Sequence, residues 1–540
     1  MHILEKFFDT AFDAPDGIKK LRELILTLAM QGKLVAQDQN DQPASELLKR
    51  LKPSTIKSPS SVKSNEVSFT LPKNWQWERI VNLGVTQTGT TPPKKDPDYY
   101  GDFIPFIGPG NIKNGVIDYS GEGLSKKGIE KGRLIEKNSI LMVCIGGSIG
   151  KHALTNQAIS CNQQINSLTV HPELSTQYVY WAMASQYFQN TVINQAGGSA
   201  TPIINKLKWS SILIPVPPKN EQERIVEKIN QLMTLCDELE KLKQQKEAKK
   251  LTVHKSAINQ LLDSKDESNS QKGWHFISEY FNDLYTVKEN VLELRSVILQ
   301  LAMQGKLVPQ DSNDQPASEL LKEIEKEKKA NKVKSLEPIK SEAISYNLPN
   351  GWQWVYLNDF GVWKSGSTPS RTNSAYYDGD IPWVKSGEVK QGLIKKTEET
   401  ITQKALAECS LGLNPVGSVL VAMYGANIGE VGILEIEATT NQAICACQTF
   451  SKINNQFLKF LIDSLKGYFI SQGAGAAQPN ISRVKIINSI VPLPPYNEQE
   501  RIVEKINQLM ALCDDLEKQI ENSSSKQTEL LNAIMSNLGK

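Results

Sequence analysis

Residues 28–49 read LAMQGKLVAQDQNDQPASELLK, and residues 301–322 repeat them as LAMQGKLVPQDSNDQPASELLK, with only two differences. A second pair of blocks reads NEQERIVEKINQLMTLCDELEK at 220–241 and NEQERIVEKINQLMALCDDLEK at 497–518, again with two differences. Repeats this long and this close imply two copies of one supersecondary unit. These blocks, which we call the frame, therefore set the fold.

Two segments that lie between the repeated blocks are only distantly alike. They are 70–218, the first module, and 347–495, the second module. Each opens with Trp-Gln-Trp after Leu-Pro and continues with short apolar runs separated by glycines and asparagines, which predicts a mixed α/β globule. A constant frame with two divergent modules is typical of a scaffold that presents two recognition surfaces.

The predicted fold class is α+β, with two mixed α/β globules joined by long antiparallel coiled-coil helices in a pseudo-two-fold internal repeat. A chain of 540 residues is too long for one hydrophobic core. The expected regions are an N-terminal helical region at 1–69 that packs on the C-terminal helix, the first module at 70–218, a central helical hairpin at 219–346, the second module at 347–495, and a C-terminal helix at 496–540.

Apolar residues of the second repeated block recur at heptad spacing, which predicts a seam for helix–helix pairing. The seam residues are Ile225, Ile229, Leu232 and Leu239 in the first copy, and Ile502, Ile506, Leu509 and Leu516 in the second, with Cys236 and Cys513 between them.

The first repeated block predicts a complementary helix that ends at Gly32 or Gly305. We expect 219–262 to pair with 289–307 as an antiparallel hairpin. The matching partner of the C-terminal helix stands at the other end of the chain, in 16–34, so a pseudo-circular arrangement is expected.

Composition sets further bounds on the class of protein. No run of about 18 apolar residues exists that could span a membrane, and the first residues do not resemble a signal peptide. Seven cysteines without a C-x-x-C pair indicate reduced, buried thiols, so a cytoplasmic protein is expected. A net charge of +2 is not that of a simple DNA-coating protein, yet it does not exclude DNA binding.

Two motifs resemble functional signatures but fail at the residues that would do the chemistry. Gly146 to Lys151 lacks the leading glycine of a phosphate loop, and the second module has Glu430 where the lysine would be. Pro494-Pro495-Tyr496 resembles the core of an adenine methyltransferase tetrapeptide but follows Leu493. The five histidines have no metal-ligand spacing. We expect no catalytic residue, no metal site and no cofactor in this chain.

Polar loops do recur in both modules. Gly89-Thr-Thr-Pro matches Gly366-Ser-Thr-Pro, a Tyr-Tyr pair precedes Ile-Pro and an aromatic residue in each, and Asn156-Gln-Ala-Ile is matched with Asn441-Gln-Ala-Ile. Amide and hydroxyl groups can read base edges while lysine and arginine hold phosphates. For any single residue, a role in a turn or a helix cap remains the alternative.

The candidate DNA contacts are the polar and basic residues of these loops. In the first module they are Thr91, Lys94, Lys95, Tyr99, Asn111, Lys113, Ser148, Lys151, Gln163, Ser199, Thr201 and Asn205. In the second module they are Ser367, Arg371, Tyr376, Lys385, Tyr424, Asn427, Gln478, Asn480, Ser482 and Arg483.

Taken together, these motifs resemble the specificity subunits of type I restriction–modification systems. The resemblance rests on the PP-x-NEQ-x-RIV-x-KI helix starts, the LAMQGKLV segment, and G-x-T-P, I-P-[FW] and NQ-A-I in the modules, and it covers essentially the whole chain. The first module departs from the usual pattern, because Thr201-Pro-Ile-Ile-Asn205 stands where Gln478-Pro-Asn-Ile-Ser482 is closer to it.

The resemblance implies two target recognition domains that each read half of a bipartite, asymmetric DNA sequence. It implies conserved helices that set the gap between the half-sites and dock two methyltransferase subunits, and through them restriction subunits. S-adenosylmethionine, ATP and magnesium would then belong to those partners.

Two alternatives remain open at this point. One is a related specificity protein of a methylation-only or phage-exclusion assembly, whose residues would look the same. The other is a scaffold whose paired globules bind protein or carbohydrate, which predicts no salt-dependent DNA binding.

Overall fold

The computed structural model describes residues 13–51, 62–198, 201–263, 267–344, 346–473 and 480–538. The chain divides into two compact units, Met1–Gln245 with Ser523–Lys540, and Lys246–Asn522. Each unit holds one module, and the two modules share most of their helices and strands in the same order, except for the short strands that follow the long strand of the smaller sheet.

The elements up to the first long helix build the first module and its part of the frame. The helices are α1 (Gly17–Met30), α2 (Ala44–Arg50), α3 (Lys126–Lys131), α4 (Thr176–Ala184), α5 (Gln186–Gln195), α6 (Lys206–Ser210) and α7 (Lys219–Leu261). The strands are β1 (Gln76–Arg79), β2 (Gly84–Thr88), β3 (Tyr100–Ile107), β4 (Ile112–Lys113), β5 (Val116–Ile117), β6 (Gly123–Leu124), β7 (Ser139–Val143), β8 (His152–Leu154), β9 (Ser160–Cys161), β10 (Ile165–Val170) and β11 (Leu213–Val216).

The remaining elements follow the same plan. The helices are α8 (Glu267–Glu279), α9 (Phe281–Leu284), α10 (Lys288–Met303), α11 (Ala317–Ala330), α12 (Gln403–Glu408), α13 (Asn455–Ser464), α14 (Lys466–Gly473), α15 (Arg483–Ile487) and α16 (Tyr496–Leu538). The strands are β12 (Gln353–Tyr356), β13 (Gly361–Ser365), β14 (Tyr377–Val384), β15 (Leu393–Ile394), β16 (Glu399–Ile401), β17 (Val419–Ala422), β18 (Val431–Leu434), β19 (Thr439–Thr440), β20 (Ile444–Thr449) and β21 (Ile490–Leu493).

Each module is built on one larger and one smaller sheet. The larger sheets have the strand orders β2-β10-β7-β8 and β13-β20-β17-β18-β15, and the smaller ones β6-β3-β9 and β16-β14-β19. The first and last strands of each module pair with each other, with Trp77 opposite Pro215 and Trp354 opposite Pro492. The predicted α+β architecture, with two mixed globules, long helices and an internal repeat, is confirmed.

The ends of α1 and α10 show why the frame needs its glycines. Gly32 and Gly305 both have a φ of +68°, and the N–H of Lys33 donates to the carbonyl of Leu28 at 2.9 Å, which is a Schellman C-cap. A Cβ at Gly32 would collide with the ring of Pro72 and crowd Trp75, so glycine is required for space as well as for backbone conformation. The predicted helix end is confirmed.

The long helices pair only in part as the sequence predicted. In the first unit, Arg22 of α1 donates to Asp237 and Glu240 of α7, each at 2.8 Å, so this part of α7 packs on α1. In the second unit it is the later part of α7 that meets the following helices, through His254 and Glu293 at 3.1 Å. The expectation that 219–262 pairs with 289–307 therefore holds for the later part of α7, whereas its earlier part pairs with α1, because the near-identical blocks allow either partner.

The second unit repeats this arrangement with the other long helix. Arg295 of α10 donates to Asp514 of α16 at 2.6 Å, and Ile502 and Ile506 are fully buried in the same core as Ala302. The far end of α16 lies in the first unit, where Leu531 is buried against Ala14.

The predicted seam is real at its start and ends earlier than predicted in the first copy. Ile225 and Ile229 are fully buried, and Leu232 packs partly buried against the same core. Leu239, the last of the four predicted seam residues, is 38% exposed. In the second copy Leu509 and Leu516 both pack partly buried against the core. In the described ranges, no helix is both long and apolar enough to cross a membrane.

Candidate nucleic-acid interface

The Gly-x-Thr-Pro loop of the first module lies against the loop that precedes β10. The N–H of Gly89 donates to Ile165 O and that of Thr90 to Cys161 O, both at 2.9 Å, and the Thr91 hydroxyl donates to the Gln163 side chain. A Cβ at Gly89 would collide with the backbone of Cys161. The glycine therefore permits the close approach that brings Thr91 and Gln163 together.

The second module forms the same junction with different residues. The N–H of Gly366 donates to Ile444 O at 3.1 Å, and that of Ser367 to Thr440 O at 3.0 Å. The N–H of Gln442 lies 3.5 Å from the hydroxyl of Thr368. A common loop scaffold thus presents two different sets of side chains.

This junction corrects one match made from the sequence. The counterpart of Asn441 is Asn162 and not Asn156, since Asn162 N donates to Ile107 O at 3.0 Å and Asn441 N to Val384 O at 2.9 Å. Both asparagines follow a short strand that runs parallel to β3 or β14. Asn156 lies in the turn between β8 and β9. The predicted match of Asn156 with Asn441 rested on the shared Asn-Gln-x-Ile sequence and is wrong.

A second junction joins the Gly146–Lys151 loop to the segment before α6. The N–H of Gly146 donates to Pro202 O at 2.9 Å, which places Ser148 near Thr201 in the fold. In the second module Tyr424 forms a backbone bridge with Asn480, in the corresponding place. Thr201, Tyr424 and Asn480 are exposed, and Asn427 is partly so. Ser199 and Gln478 lie outside the described residues.

Several candidate side chains are occupied in caps and turns. Asn205 caps α6 by accepting from Lys208 N at 2.9 Å, and Ser482 caps α15 by accepting from Lys485 N at 3.3 Å. Asn111 accepts from Gly108 N at 2.9 Å and donates to Asp118 O at 3.1 Å. Tyr376 donates to Glu408 at 2.9 Å. For Asn205, Ser482 and Asn111 the structure shows the cap or turn role that was the alternative to base reading, whereas Tyr376 is held by a side-chain hydrogen bond.

Arg371 and Lys385 belong to one charged cluster of the second module. The Arg371 guanidinium lies 4.5 Å from the ring centre of Tyr377 and 5.2 Å from that of Trp383, and it donates to Glu399 at 2.6 Å. Lys385 donates to Glu398 at 2.7 Å and to Glu399 at 3.1 Å. The bond from Arg371 holds the pKa of Glu399 below its usual value. Glu399 therefore stays ionised and compensates both cations.

The basic candidates of the first module are less restrained. Lys94, Lys95, Lys113 and Lys151 are exposed. Tyr99 packs under the ammonium group of Lys127, 5.0 Å from its ring centre, and Lys127 donates to Asp98 at 2.9 Å. At the position of Lys151 the second module has Glu430, which accepts from Lys466 at 2.7 Å. The two loop surfaces thus differ in charge at equivalent positions.

Sequence reasoning missed three basic residues that lie beside these loops. Arg133 donates to Thr88 O at 2.8 Å, at the end of β2, and Lys206 begins α6. Lys364 lies on β13 directly before the second Gly-x-Thr-Pro loop and lines a pocket with Arg483. No motif marks them, although the position of Lys364 two residues before Gly366 was a usable signal.

The described ranges contain no group of three histidine, cysteine, aspartate or glutamate residues that could hold a metal ion. Burial raises the pKa of Cys144, Cys161 and Cys445 to about 12, so these thiols are protonated at neutral pH. They pack as small apolar side chains.

The duplicated loop scaffold on a repeated helical frame defines a class of protein. Residues 72–250 and 349–523 match the type I restriction modification DNA specificity domain, and the chain belongs to that family. It is a specificity subunit with two target recognition domains, as the resemblance implied.

Two relatives from Escherichia coli match almost the whole chain. The specificity subunit of the type I restriction enzyme EcoAI is 30% identical over 570 residues, covering 96% of this chain and 93% of the relative. The EcoEI specificity subunit is 28% identical over 580 residues with the same coverage. The HsdS subunit from Thermoanaerobacter tengcongensis is 17% identical, covers 88% of this chain and 98% of its own, and has a TM-score of 0.41.

Proposed function

We propose that each module reads one half of a bipartite, asymmetric DNA sequence for a type I restriction–modification complex. The observation that carries the proposal is the pair of equivalent loop junctions, Gly89 on Ile165 and Gly366 on Ile444, which hold the same backbone bonds in both modules. Side chains on such a scaffold face the same partner but read different bases. The family and its EcoAI and EcoEI members support this reading.

The differences between the modules favour an asymmetric target. Arg371 of the second module, stacked on Tyr377 and tied to Glu399, stands where the first module has the exposed Lys94. A planar, fixed guanidinium suits bidentate contacts to guanine, whereas a mobile ammonium group suits phosphates. Two modules built this way recognise unlike half-sites.

The frame serves partner subunits in this proposal. The repeated blocks are near-identical in sequence, and their exposed residues recur in both units. Two copies of one surface bind two copies of one protein, so we propose two docked methyltransferase subunits and, through them, restriction subunits. Measuring the mass of the purified complex tests this stoichiometry, and a single methyltransferase subunit per chain would contradict it.

The chain itself has no catalytic role in this proposal. Methyl transfer and cleavage belong to partners that bind S-adenosylmethionine, ATP and magnesium, since the phosphate-loop and methyltransferase motifs of this chain fail at their essential residues. Incubating the purified chain with DNA and labelled S-adenosylmethionine should transfer no label. Transfer by the chain alone would refute this part of the proposal.

The decisive experiment is a methylome. The chain is expressed with its partner methyltransferase subunits, and methylated adenines are mapped in the host DNA. The expected result is one motif with two specified parts separated by unspecified bases. A continuous palindromic motif, or no methylation in an assembled complex, would overturn the proposal.

A further inference from the structure

A polar pocket of about 450 Å³ opens in the second module where four elements meet. Its walls come from the end of β13, the loop that follows α12, the end of β19 and the first residue of α15. The lining includes Lys364, Ser365, Ser410, Asn414, Thr440 and Arg483. The pocket is bordered by the Gly-x-Thr-Pro loop, because Gly366 is also in its wall.

This pocket carries positive charge without a compensating acid. The lining residues include two cations, three hydroxyl groups and one amide, and no aspartate or glutamate. Arg483 donates to Trp363 O at 3.2 Å, which fixes the guanidinium at the edge of the pocket but leaves its charge uncompensated. This differs from the nearby Arg371 and Lys385, both of which are paired with Glu399.

The first module has two cations at the equivalent place, supplied by different elements. Lys206 begins α6 as Arg483 begins α15, and Gln87 stands where the second module has Lys364. The other cation is Arg133, from the loop after α3, whose guanidinium donates to Thr88 O at 2.8 Å. Burial, and then the charge of Arg133, lower the pKa of Lys206, so the two cations lie close enough to repel each other.

We infer that this pocket, and its counterpart in the first module, each bind a phosphodiester of the DNA backbone next to the bases read by the loops. The ligands are Lys364 and Arg483 in the second module and Arg133 and Lys206 in the first. The inference rests on the proposed function and deepens it.

The pattern of substitution favours a phosphate over a base as the occupant. Both modules have two cations at this place. One is at the start of the equivalent helix in each module, and the other is Arg133 in the first module but Lys364, from a different element, in the second. A phosphate contact needs charge and donors but no base identity, whereas a base contact needs a particular donor pattern. An anion placed between two uncompensated cations also relieves their repulsion.

The test uses the full chain assembled with its methyltransferase subunits. Equilibrium binding to a duplex that carries the methylated motif, and to a random duplex, is measured at several salt concentrations. The paired variants are R133A with K206A, and K364A with R483A. Matched controls are K131A on α3 and K404A on α12, which remove exposed lysines on neighbouring helices.

Each lost phosphate contact should reduce the slope of log affinity against log salt by about 0.9. The paired variants should therefore weaken binding to both duplexes by the same factor, while the methylated sequence stays unchanged. The controls should keep the wild-type slope. Wild-type slopes in both paired variants, or an altered methylated sequence, would overturn the inference.

Arg133 and Arg483 also hold backbone carbonyls, so their loss can disturb folding. The single variants K206Q and K364Q leave those bonds in place and provide the test if a paired variant does not assemble. The proposed function is judged separately, by whether the wild-type complex prefers the motif duplex. A wild-type complex without such preference still has a salt slope, on which the inference stands or falls.

Discussion

The indole Nε1 of Trp75 donates a 2.9 Å hydrogen bond to the buried carboxylate of Glu221. The second unit repeats the bond between Trp352 and Glu498, also at 2.9 Å. The tryptophan opens a module and the glutamate begins a long helix, and a glutamine of the frame, Gln37, donates to Glu221 as well. This joint attaches each module to the frame in the same way.

Replacing Trp75 with phenylalanine should destabilise the chain, because Glu221 loses a donor and the smaller phenyl ring leaves part of the buried indole site empty. A buried acceptor that loses its partner costs about 1–3 kcal/mol, measured as the change in free energy of unfolding by urea. Trp77 is the control, since its ring packs 4.9 Å from that of Phe69 without an indole hydrogen bond in the described contacts. Equal losses in W75F and W77F would show that the bond contributes nothing.

Stability should also depend on pH through Glu498. Burial, the largest cause, raises the pKa of Glu498, against the opposing effect of the bonds from Gln310 and Trp352. Because the folded chain holds this proton more tightly than the unfolded chain, the contribution is full below the unfolded value, about 4.3. It is lost as the pH rises through the folded pKa.

The stability of the wild type relative to E498Q should therefore fall as the pH is raised from about 4.3. Urea unfolding of both proteins over this range measures the difference. The exposed Glu504 on the same helix provides the control variant E504Q, which should follow the wild type. A wild-type-to-E498Q difference that is flat across the range contradicts the prediction.

Glu399 should control how selectively the second module binds DNA. The substitution E399Q removes the carboxylate that compensates Arg371 and Lys385. Binding to random duplexes should strengthen, with a steeper salt dependence, and the methylated motif should broaden in one half only. The control is E408Q, whose carboxylate accepts from Tyr376. Broadening in both halves, or unchanged binding and motif, would argue against this role.

His254 should make the second unit less stable in acid. Its Nδ1 lies 3.1 Å from Glu293 and its Nε2 lies 2.9 Å from the hydroxyl of Tyr285. Burial, the largest cause, lowers the pKa of His254, although Glu293 opposes the shift. The folded chain then binds this proton less tightly than the unfolded chain, so stability is lost as the pH falls below about 6.5.

Unfolding experiments between about pH 7 and 5 should show the wild type losing stability relative to H254Q. Only the wild type has a buried imidazole at this position, and protonation of that imidazole favours the unfolded chain. The exposed His275 gives the control H275Q, which should behave like the wild type. If H254Q and the wild type lose stability in parallel, the pH response arises elsewhere.

Features of the fold that depend on local chemistry could be predicted from the sequence, whereas features that depend on long-range pairing could not. The helix ends at Gly32 and Gly305 follow from one residue and its backbone angle, and both were predicted. Which helix pairs with which part of α7 depends on a choice between near-identical partners, which periodicity does not make.

The candidate site shows the same division. The Gly-x-Thr-Pro loops were recognised because glycine and proline fix local geometry. The predicted match of Asn156 with Asn441 is wrong because strand pairing, and not the local sequence, decides which Asn-Gln pair lies against the Gly-x-Thr-Pro loop. Arg133 and Lys206 are 73 positions apart in numbering, and only the fold brings their charges near each other.

The joint around Gly32, Pro72 and Trp75 has a counterpart in Gly305, Pro349 and Trp352, where the same atoms would meet a Cβ on the glycine. A gene segment that encodes a module from its Leu-Pro start to its Pro-Pro end therefore encodes the proline and the tryptophan that pack against the glycine of the frame. If recombination moved this segment into the other position, or into a related gene, the module would make the same contacts with the frame as before. New target sequences could then arise by exchange of whole segments, without compensating substitutions in the core.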